Sequence, residues 1–358
     1  MLLGKTLYIN TKNSGNSGAS VISERNYHLV SLNSIEVIHY STELTLKNVR
    51  KNLKSIFIDF NLVNITEMQE IVNLIKINSV NTVFIDSSLL GNFSKYIKKE
   101  FPNIYIISFF HNVEYSYFND LIKVSKKKHH YFTLKLVKKA ETQSLHFSDL
   151  IITLNRRDSN DLYKTYGKYA DLILPTSFDD QFDKTLFENK NVESDVLNLL
   201  FVGSYFPPNV YGLDWFVDNV LPKINRKVKL FVVGNGFEFH KFKTESKIIE
   251  LIGKVDDLGP YYYKADLIVA PIFHGSGMKT KVAEALMYNK PVAGSKEAFE
   301  GYEIDINEVG KECNSADEFI NYIQKFSKSP INIRALFLAN FSFETIKNNF
   351  YNFLNDTK

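Results

Sequence analysis

The fold is decided by residues 271–295, PIFHGSGMKTKVAEALMYNKPVAGS. An apolar run ends at Phe273 and a Gly-Ser-Gly turn follows it. The next segment repeats apolar residues three and four positions apart, as a helix does, and a second apolar run follows at 290–295. The order of strand, glycine turn, helix and strand predicts two parallel strands joined by a crossover helix.

The same alternation runs along the whole chain. Nearly continuous apolar runs of strand length are typical of strands buried on both faces of a parallel sheet. Their alternation with helical stretches predicts an α/β protein with doubly wound sheets. The predicted strands are 5–11, 35–41, 55–61, 81–87, 103–110, 149–154 and 171–176, then 197–203, 228–234, 247–253, 266–271 and 290–295.

The 358 residues suggest two domains at roughly 150 residues each. Segment 177–196 is polar and charged with no clear period, and it is interpreted as a linker. We therefore expect a Rossmann-like domain over 1–176, a second one over 197–340 and a C-terminal helix over 341–358. Open parallel sheets bind ligands at the carboxyl ends of their strands, so the active site is expected in a cleft between the domains.

Composition excludes several classes of protein. Hydrophobic residues make up 44% and charged residues 23%, which excludes disordered and fibrous chains. A net charge of +3 is too small for the global field of a nucleic-acid binder. The single cysteine, Cys313, excludes an internal disulfide and a cysteine-based zinc cluster. No apolar run approaches about 18 residues and no signal-peptide pattern is present, so the protein is expected to be cytoplasmic.

The loop after the strand at 266–271 is predicted to bind an anion. Its two glycines permit positive φ angles and leave backbone N–H groups at the first turn of the next helix. These donors, the helix dipole and two nearby lysines suit a diphosphate. The candidate residues are Gly275, Ser276, Gly277, Met278, Lys279 and Lys281.

Glu284 lies one helical turn beyond this loop. A carboxylate there can accept hydrogen bonds from two ribose hydroxyls. The alternative is an ordinary glycine turn followed by a surface pair of Lys281 and Glu284, three residues apart.

Four blocks of the second half carry a family resemblance. They are FVGSYFPPNVYGLDWFVDNVLP (201–222), VVGNG (232–236), LIGKVDDLGPYYYKADLIVAP (251–271) and GSGMKTKVAEALMYNKPV (275–292). In order and spacing they resemble the nucleotide-binding domain of retaining GT-B glycosyltransferases, of the family 4-like, group 1 type. Weaker similarity covers 14–30, HNVE (111–114) and 170–176. Segment 341–354 resembles the family's last helix, which returns to the first domain.

The resemblance implies two doubly wound domains facing across a cleft and a hexosyltransferase of bacterial polysaccharide type. A sugar would pass, with retention, from a nucleotide-diphosphate sugar to a glycan, lipid-linked or glycoconjugate acceptor. Family members stabilise the leaving diphosphate with backbone amides and basic side chains, so no metal and no cofactor are expected. The sequence has no Asp-x-Asp motif at a strand end and no His/Cys set with metal-ligand spacing. It therefore contains no metal-binding pattern that contradicts this expectation.

The sequence departs from the family pattern at two serines. Many members carry a Glu-x7-Glu pair; Glu284 matches its second position, whereas Ser276 occupies the first. Many also place an Arg and a Lys after the domain's first strand; here Ser204, which follows Gly203, occupies the Arg position and no Lys follows. In this chain the later loop is expected to supply the positive charge instead, so Lys279 or Lys281 is expected to contact the diphosphate.

The first half supplies the other candidates. His111 follows the fifth predicted strand, and the resemblance implies a catalytic position facing the donor sugar; a purely structural histidine is the alternative. Glu114 and Arg25 are assigned to the acceptor side. Gly15 and Gly18 open a helix after the first strand and are expected to approach the diphosphate, unless they form only a flexible loop.

Residues 121–140 hold seven lysines, two histidines and no acid. Such a run attracts anionic lipid surfaces, so peripheral association with the inner face of the membrane is predicted. A solvated helix face is the simpler alternative. RNA binding is disfavoured because no nucleic-acid module accompanies the run.

Two further functions stay open. A catalytically silent GT-B-like partner subunit is favoured by Ser276 and Ser204 and opposed by the intact glycine loop, the two lysines and Glu284. A nucleotide-sugar epimerase would need additional acid–base carboxylates.

Overall fold

The computed structural model describes residues 3–12, 18–44, 65–125, 128–188, 195–243, 247–275, 277–327 and 332–356. The predicted strand at 55–61, Gly15 and Ser276 lie outside these residues. Contacts divide the chain into two compact units, Met1–Thr176 with Ile346–Lys358, and Ser177–Thr345.

The described part of the first unit contains one parallel sheet in the order β2-β1-β3-β4-β5-β6. Its strands are β1 (Lys5–Thr11), β2 (Glu36–Thr42), β3 (Thr82–Ile85), β4 (Tyr105–Phe110), β5 (Leu150–Thr153) and β6 (Leu172–Ile173). Its helices are α1 (Gly18–Asn33), α2 (Ile65–Asn78), α3 (Gly91–Glu100), α4 (Glu114–Ser125), α5 (Lys128–Phe147) and α6 (Arg156–Tyr166), with a 3-10 turn at Ser88–Leu90.

The described part of the second unit contains a parallel sheet in the order β12-β11-β10-β7-β8-β9. Its strands are β7 (Leu197–Val202), β8 (Val228–Val233), β9 (Ile249–Gly253), β10 (Leu267–Ala270), β11 (Val292–Gly294) and β12 (Gly310–Glu312). The helices are α7 (Lys184–Glu188), α8 (Pro207–Asn219), α9 (Gly259–Lys264), α10 (Thr280–Met287), α11 (Ile306–Val309), α12 (Ala316–Lys325) and α13 (Arg334–Asn340), and 3-10 turns lie at Leu221–Lys223 and Phe237–Phe239. Helix α14 (Phe343–Asp356) begins in this unit and continues in the first.

Burial explains why the apolar runs become strands. Every residue of β3, β5 and β10 is buried, so both faces of these strands are covered. Fully burying one large apolar side chain contributes about 1.5–3 kcal/mol, which makes such runs the natural centre of a sheet. The predicted α/β class with doubly wound parallel sheets is confirmed.

Polar residues fix where helices start and stop. Helix α6 begins at Asn155, whose side chain accepts a hydrogen bond from the Asp158 amide, and ends at Gly167 with φ of 74°. Helix α12 begins with a capping box between Ser315 and Glu318. These bonds satisfy amides and carbonyls that the helix itself leaves unpaired.

Each sheet reverses its chain order beside its first strand. Strand β1 lies between β2 and β3, and β7 lies between β8 and β10. Open parallel sheets form ligand crevices at such reversals, on the side of the strands' carboxyl ends. The loops after β1 and β3, and those after β7 and β10, are therefore the places where a site is expected.

Helix α8 packs tightly on the end of β10 through Gly212. A Cβ at this position would overlap the carbonyl oxygen of Pro271. Gly212→Ala is expected to lower the free energy of unfolding by about 2 kcal/mol, because packed backbone must move apart. Gly167→Ala is the control: its Cβ meets nothing within 4 Å, so only the positive φ opposes it, at about 1 kcal/mol. Denaturant unfolding of both variants measures the difference; equal losses would contradict the close approach.

Candidate functional site

The loop between β10 and α10 depends on its glycines. Gly275 has φ of 148° and Gly277 has φ of 69°, backbone angles that residues with a Cβ atom rarely adopt. The loop ends at Lys279, the N-cap of α10, whose side chain makes no capping bond. The glycines thus bring the N-terminus of α10 to the carboxyl end of β10, where the sheet reverses.

Lys281 is buried at this reversal. Its Nζ donates to Asn209 Oδ1 at 2.9 Å and lies 4.4 Å from the centre of the Phe201 ring. The Asn209 amide nitrogen in turn donates to the carbonyl oxygen of Ser204 at 2.9 Å. Asn209 therefore connects the loop after β7 to the first turn of α10; it lies in the block 201–222 but was not among the predicted site residues.

Gly203 makes room for this ammonium group. A Cβ at Gly203 would lie 2.8 Å from Asn209 Nδ2 and 3.1 Å from Lys281 Nζ. A Cβ at the neighbouring Gly234 would overlap the carbonyl oxygen of Gly203. Gly203 thus lies beside Lys281, and the carbonyl oxygen of Ser204 accepts a hydrogen bond from Asn209; their part in a donor site stays a prediction.

Lys279 has different neighbours. Its Nζ lies 2.8 Å from Glu297 Oε1 and donates to the carbonyl oxygen of Gly277 at 2.7 Å. The Tyr302 hydroxyl donates to the Lys279 carbonyl at 2.7 Å and accepts from the Ala283 amide at 3.1 Å. Lys279 and Tyr302 therefore hold the loop against the start of α10, whereas Lys281 lies beside Gly203. Met278 packs against the core of the unit.

Glu284 lies one turn further along α10. Its Oε2 accepts a hydrogen bond from the Tyr262 hydroxyl at 2.8 Å, and the Tyr262 ring stacks on Tyr288 with centroids 4.8 Å apart. Burial raises the pKa of Glu284, against the opposing effects of Tyr262 and Lys281. Tyr262 was missed because a tyrosine in the run YYYKAD is indistinguishable in sequence from a core aromatic.

Burial also governs the charge of Lys281. It lowers the pKa of Lys281 to about 7, while Glu284 raises it and Lys279 lowers it. Near neutral pH the ammonium form is therefore only partly populated. An anion bound beside it would favour the charged form.

In the first unit, His111 follows β4 and Asp86 follows β3. The Nε2 atom of His111 lies 3.1 Å from Asp86 Oδ1 and 3.2 Å from the Asp86 carbonyl oxygen. Asn26, on α1, donates to Asp86 Oδ1 at 2.7 Å. Burial lowers the pKa of His111, but the charge and hydrogen bonds of Asp86 outweigh it, so the net shift is upward. Asp86 was not among the predicted site residues.

Glu114 begins α4 and lies beside a buried carboxylate, Glu141. The Glu114 amide donates to Glu141 Oε1 at 2.8 Å, and the Tyr166 hydroxyl donates to Glu141 Oε2 at 2.6 Å. Burial raises the pKa of Glu114, and it raises that of Glu141 to about 7. Glu141 binds the amides that open α4, so it has a structural role there.

Of the remaining first-unit candidates, Arg25 and Gly18 lie among the described residues. Arg25, on α1, donates to Thr176 Oγ1 and to the Val21 carbonyl at 3.4 Å. Gly18 is the first residue of α1. Its contribution to a diphosphate site stays a prediction, as does that of Gly15.

Among the described residues, no three His, Cys, Asp or Glu side chains form a group that could hold a metal ion. Within the same ranges, no helix combines the length and apolar composition that crossing a bilayer requires. The basic run 121–140 falls mostly on α4 and α5, and residues 126–127 lie outside the described part.

Comparisons with known proteins identify the fold. Residues 197–328 match the family model described as "Glycosyl transferases group 1". The structure is similar to HepE from Anabaena in complex with UDP, at 13% identity and a TM-score of 0.68, covering 98% of this chain and 100% of that chain. No curated protein matches the chain in sequence.

Two further solved structures have the same architecture. Sucrose-phosphate synthase from Thermosynechococcus elongatus is 14% identical with a TM-score of 0.68, covering 99% of this chain and 100% of that one. The apo form of the lipopolysaccharide outer core galactosyltransferase WaaB is 12% identical with a TM-score of 0.63, with the same coverage. The two α/β units therefore have the GT-B fold, as the sequence resemblance implied.

The charge of Lys281 is directly measurable. In an NMR titration of the lysine side chains, Lys281 is expected to titrate near pH 7. Glu284→Gln is expected to lower this pKa further, because it removes the carboxylate that favours the ammonium form. Glu297→Gln is the matched control, since Glu297 pairs with Lys279. A Lys281 pKa near 10, or equal effects of the two variants, would contradict the described burial.

Proposed function

We propose that the protein is a glycosyltransferase that moves a hexose from a nucleotide-diphosphate sugar to a glycan, lipid-linked or glycoconjugate acceptor. The observation that carries the proposal is the buried ammonium group of Lys281 at the sheet reversal, beside Gly203 and the start of α10. The group 1 glycosyltransferase match over 197–328 contains every one of these residues.

The donor diphosphate is proposed to bind at the N-terminus of α10. Backbone amides of the glycine loop and the helix dipole attract its charge, and Lys281 becomes fully protonated as it binds. Lys279 contributes a second positive charge, shared with Glu297. When the sugar leaves, charge develops on the diphosphate, and these groups stabilise it without a metal or a cofactor.

Glu284 is proposed to bind the ribose hydroxyls. Its Oε2 is already held by the Tyr262 hydroxyl, so the carboxylate is oriented before the donor arrives. Because the similar HepE structure contains UDP, and a second one contains UDP-glucose, a uridine donor is the first to test.

His111 is proposed as the catalytic residue of the first unit, contacting the transferred sugar or the acceptor. The transfer is proposed to retain the configuration at the sugar carbon, with the acceptor attacking the face that the diphosphate leaves. The leaving phosphate then takes the acceptor's proton. Glu114 and Arg25 are proposed on the acceptor side, and Gly15, Gly18 and Ser276 in the donor site.

Donor binding and turnover separate the proposed roles. Thermal-shift screening with nucleoside diphosphates and their sugars should raise the melting temperature, since a ligand that binds the folded state stabilises it. Glu284→Ala should weaken donor affinity at least tenfold, because the oriented carboxylate is lost. His111→Ala should lose most turnover and keep donor affinity. Glu250→Ala, at the exposed ion pair with Lys229, is the control and should change neither.

The screen also distinguishes the alternatives. A protein that no nucleotide stabilises would be the silent partner subunit, and one that interconverts donors without acceptor would be an epimerase. Full transfer activity in both Glu284→Ala and His111→Ala would remove the residue assignments.

The acceptor is proposed to lie at the cytoplasmic face of the membrane, as a lipid-linked or growing surface glycan. The seven lysines of 121–140 support this, since each basic side chain near an anionic surface contributes about 1 kcal/mol. Cosedimentation with vesicles containing phosphatidylglycerol should occur at low salt and weaken as salt rises. Equal binding to neutral phosphatidylcholine vesicles would contradict the electrostatic attraction.

A further inference from the structure

Asp86 and His111 meet although 25 residues separate them. Strands β3 and β4 pair in parallel with Ile85 opposite Ser108, so the residues that follow the two strands emerge at the same edge of the sheet. The Asp86 amide donates to the Ile9 carbonyl at 2.8 Å, which fixes the backbone beside β1. Only 1% of Asp86 is exposed.

The contacts of His111 determine which ring nitrogen carries the hydrogen. Nε2 faces the carbonyl oxygen and the Oδ1 atom of Asp86, and the carbonyl can only accept a hydrogen bond. Nε2 must therefore donate. In the neutral imidazole the lone pair is then on Nδ1.

Two buried atoms of this pair lack partners. His111 Nδ1 and Asp86 Oδ2 are buried, and neither has a hydrogen-bond partner among the described residues. An unpaired buried polar atom destabilises the folded state, and such atoms are rare unless a ligand or water completes their hydrogen bonds. Nε2 makes both contacts to Asp86, so the missing partner of Nδ1 is another group.

We infer that Asp86 is a positioning residue that holds His111 as the Nε2–H tautomer and thereby presents Nδ1 to a hydroxyl group of the transferred sugar. The inference rests on the proposed function, because it assigns that hydroxyl to the donor. A neutral ring accepts the hydroxyl's hydrogen bond at Nδ1. A protonated ring donates one from the same atom, so the contact persists across the titration.

The charges around the ring set the direction of its pH dependence. Asp86 approaches from β3, and Glu114 is on α4; both favour the protonated ring. Tyr8 on β1 and His39 on β2 also interact electrostatically with Asp86. Burial lowers the pKa of His111, and the Asp86 charge raises it. Removing that charge should therefore lower the His111 pKa.

Asp86→Asn tests the inference because asparagine keeps the size of the side chain and removes its charge. The His111 signals are assigned in ¹⁵N NMR spectra by their loss in His111→Gln. The unsubstituted protein should show the Nε2–H tautomer, and the nucleotide sugar with the largest thermal shift should move the Nδ1 signal. Asp86→Asn should lower the His111 pKa and reduce kcat about tenfold, with the donor KM changed less than about threefold, because Nε2–H loses its charged acceptor and keeps the backbone carbonyl of residue 86.

Asp149→Asn is the matched control. Asp149 is a partly buried carboxylate that binds Lys98 and the Ile106 amide just before β5, at the opposite edge of the same sheet. It should lower stability without moving the His111 signals. An Nδ1–H tautomer, an Nδ1 signal unmoved by saturating donor, or an Asp86→Asn enzyme with unchanged His111 pKa and kcat would each overturn the inference.

Failure of the proposed function is a separate result. The tautomer and the pKa are measured without substrate, whereas the proposed function fails when no nucleotide sugar shifts the melting temperature. Loss of kcat in Asp86→Asn with an unchanged His111 tautomer and pKa would assign Asp86 a role of its own and overturn its positioning role.

Discussion

The buried ammonium group of Lys281 is the constraint on which the candidate donor site depends. Removing a charge from water is expensive unless nearby groups compensate it. Here Asn209 Oδ1 accepts a hydrogen bond from the ammonium group, and the centre of the Phe201 ring lies 4.4 Å from Nζ. The negative charge of Glu284 also favours the ammonium form. Compensation is incomplete, since the pKa still falls to about 7. A bound anion would stabilise the charged form of this lysine, and the lysine would in turn stabilise the anion. We therefore interpret the site as a diphosphate site.

Both units place their partly compensated polar groups at the same topological position. In the second unit Lys281 lies beside Gly203, which follows β7. In the first unit Asp86 follows β3, the neighbour of β1, and His111 follows the next strand, β4. Buried groups with shifted pKa values and unpaired atoms are concentrated at functional sites because stability alone disfavours them. We therefore propose that the two reversals carry the chemistry, supported by the surrounding buried strands.

The sequence was most informative where local pattern decides the structure. Continuous apolar runs predicted the strands from β1 to β11 within the described residues, and the glycines predicted the loop before α10. Strand β12, with the sequence GKE, is three residues long and has no apolar pattern, so it was missed. Asn209, Tyr262 and Asp86 were missed for another reason. Their partners are 72, 22 and 25 residues away in sequence, and only the sheet order brings them together.

The most direct test of the account is an experimental structure with a bound, non-hydrolysable nucleotide sugar. We expect the diphosphate within hydrogen-bonding distance of the α10 N-terminal amides and of Lys281 Nζ, with the ribose hydroxyls on Glu284. A nucleotide bound elsewhere in the second unit, or a diphosphate with no contact to Lys281 or to the glycine loop, would contradict it.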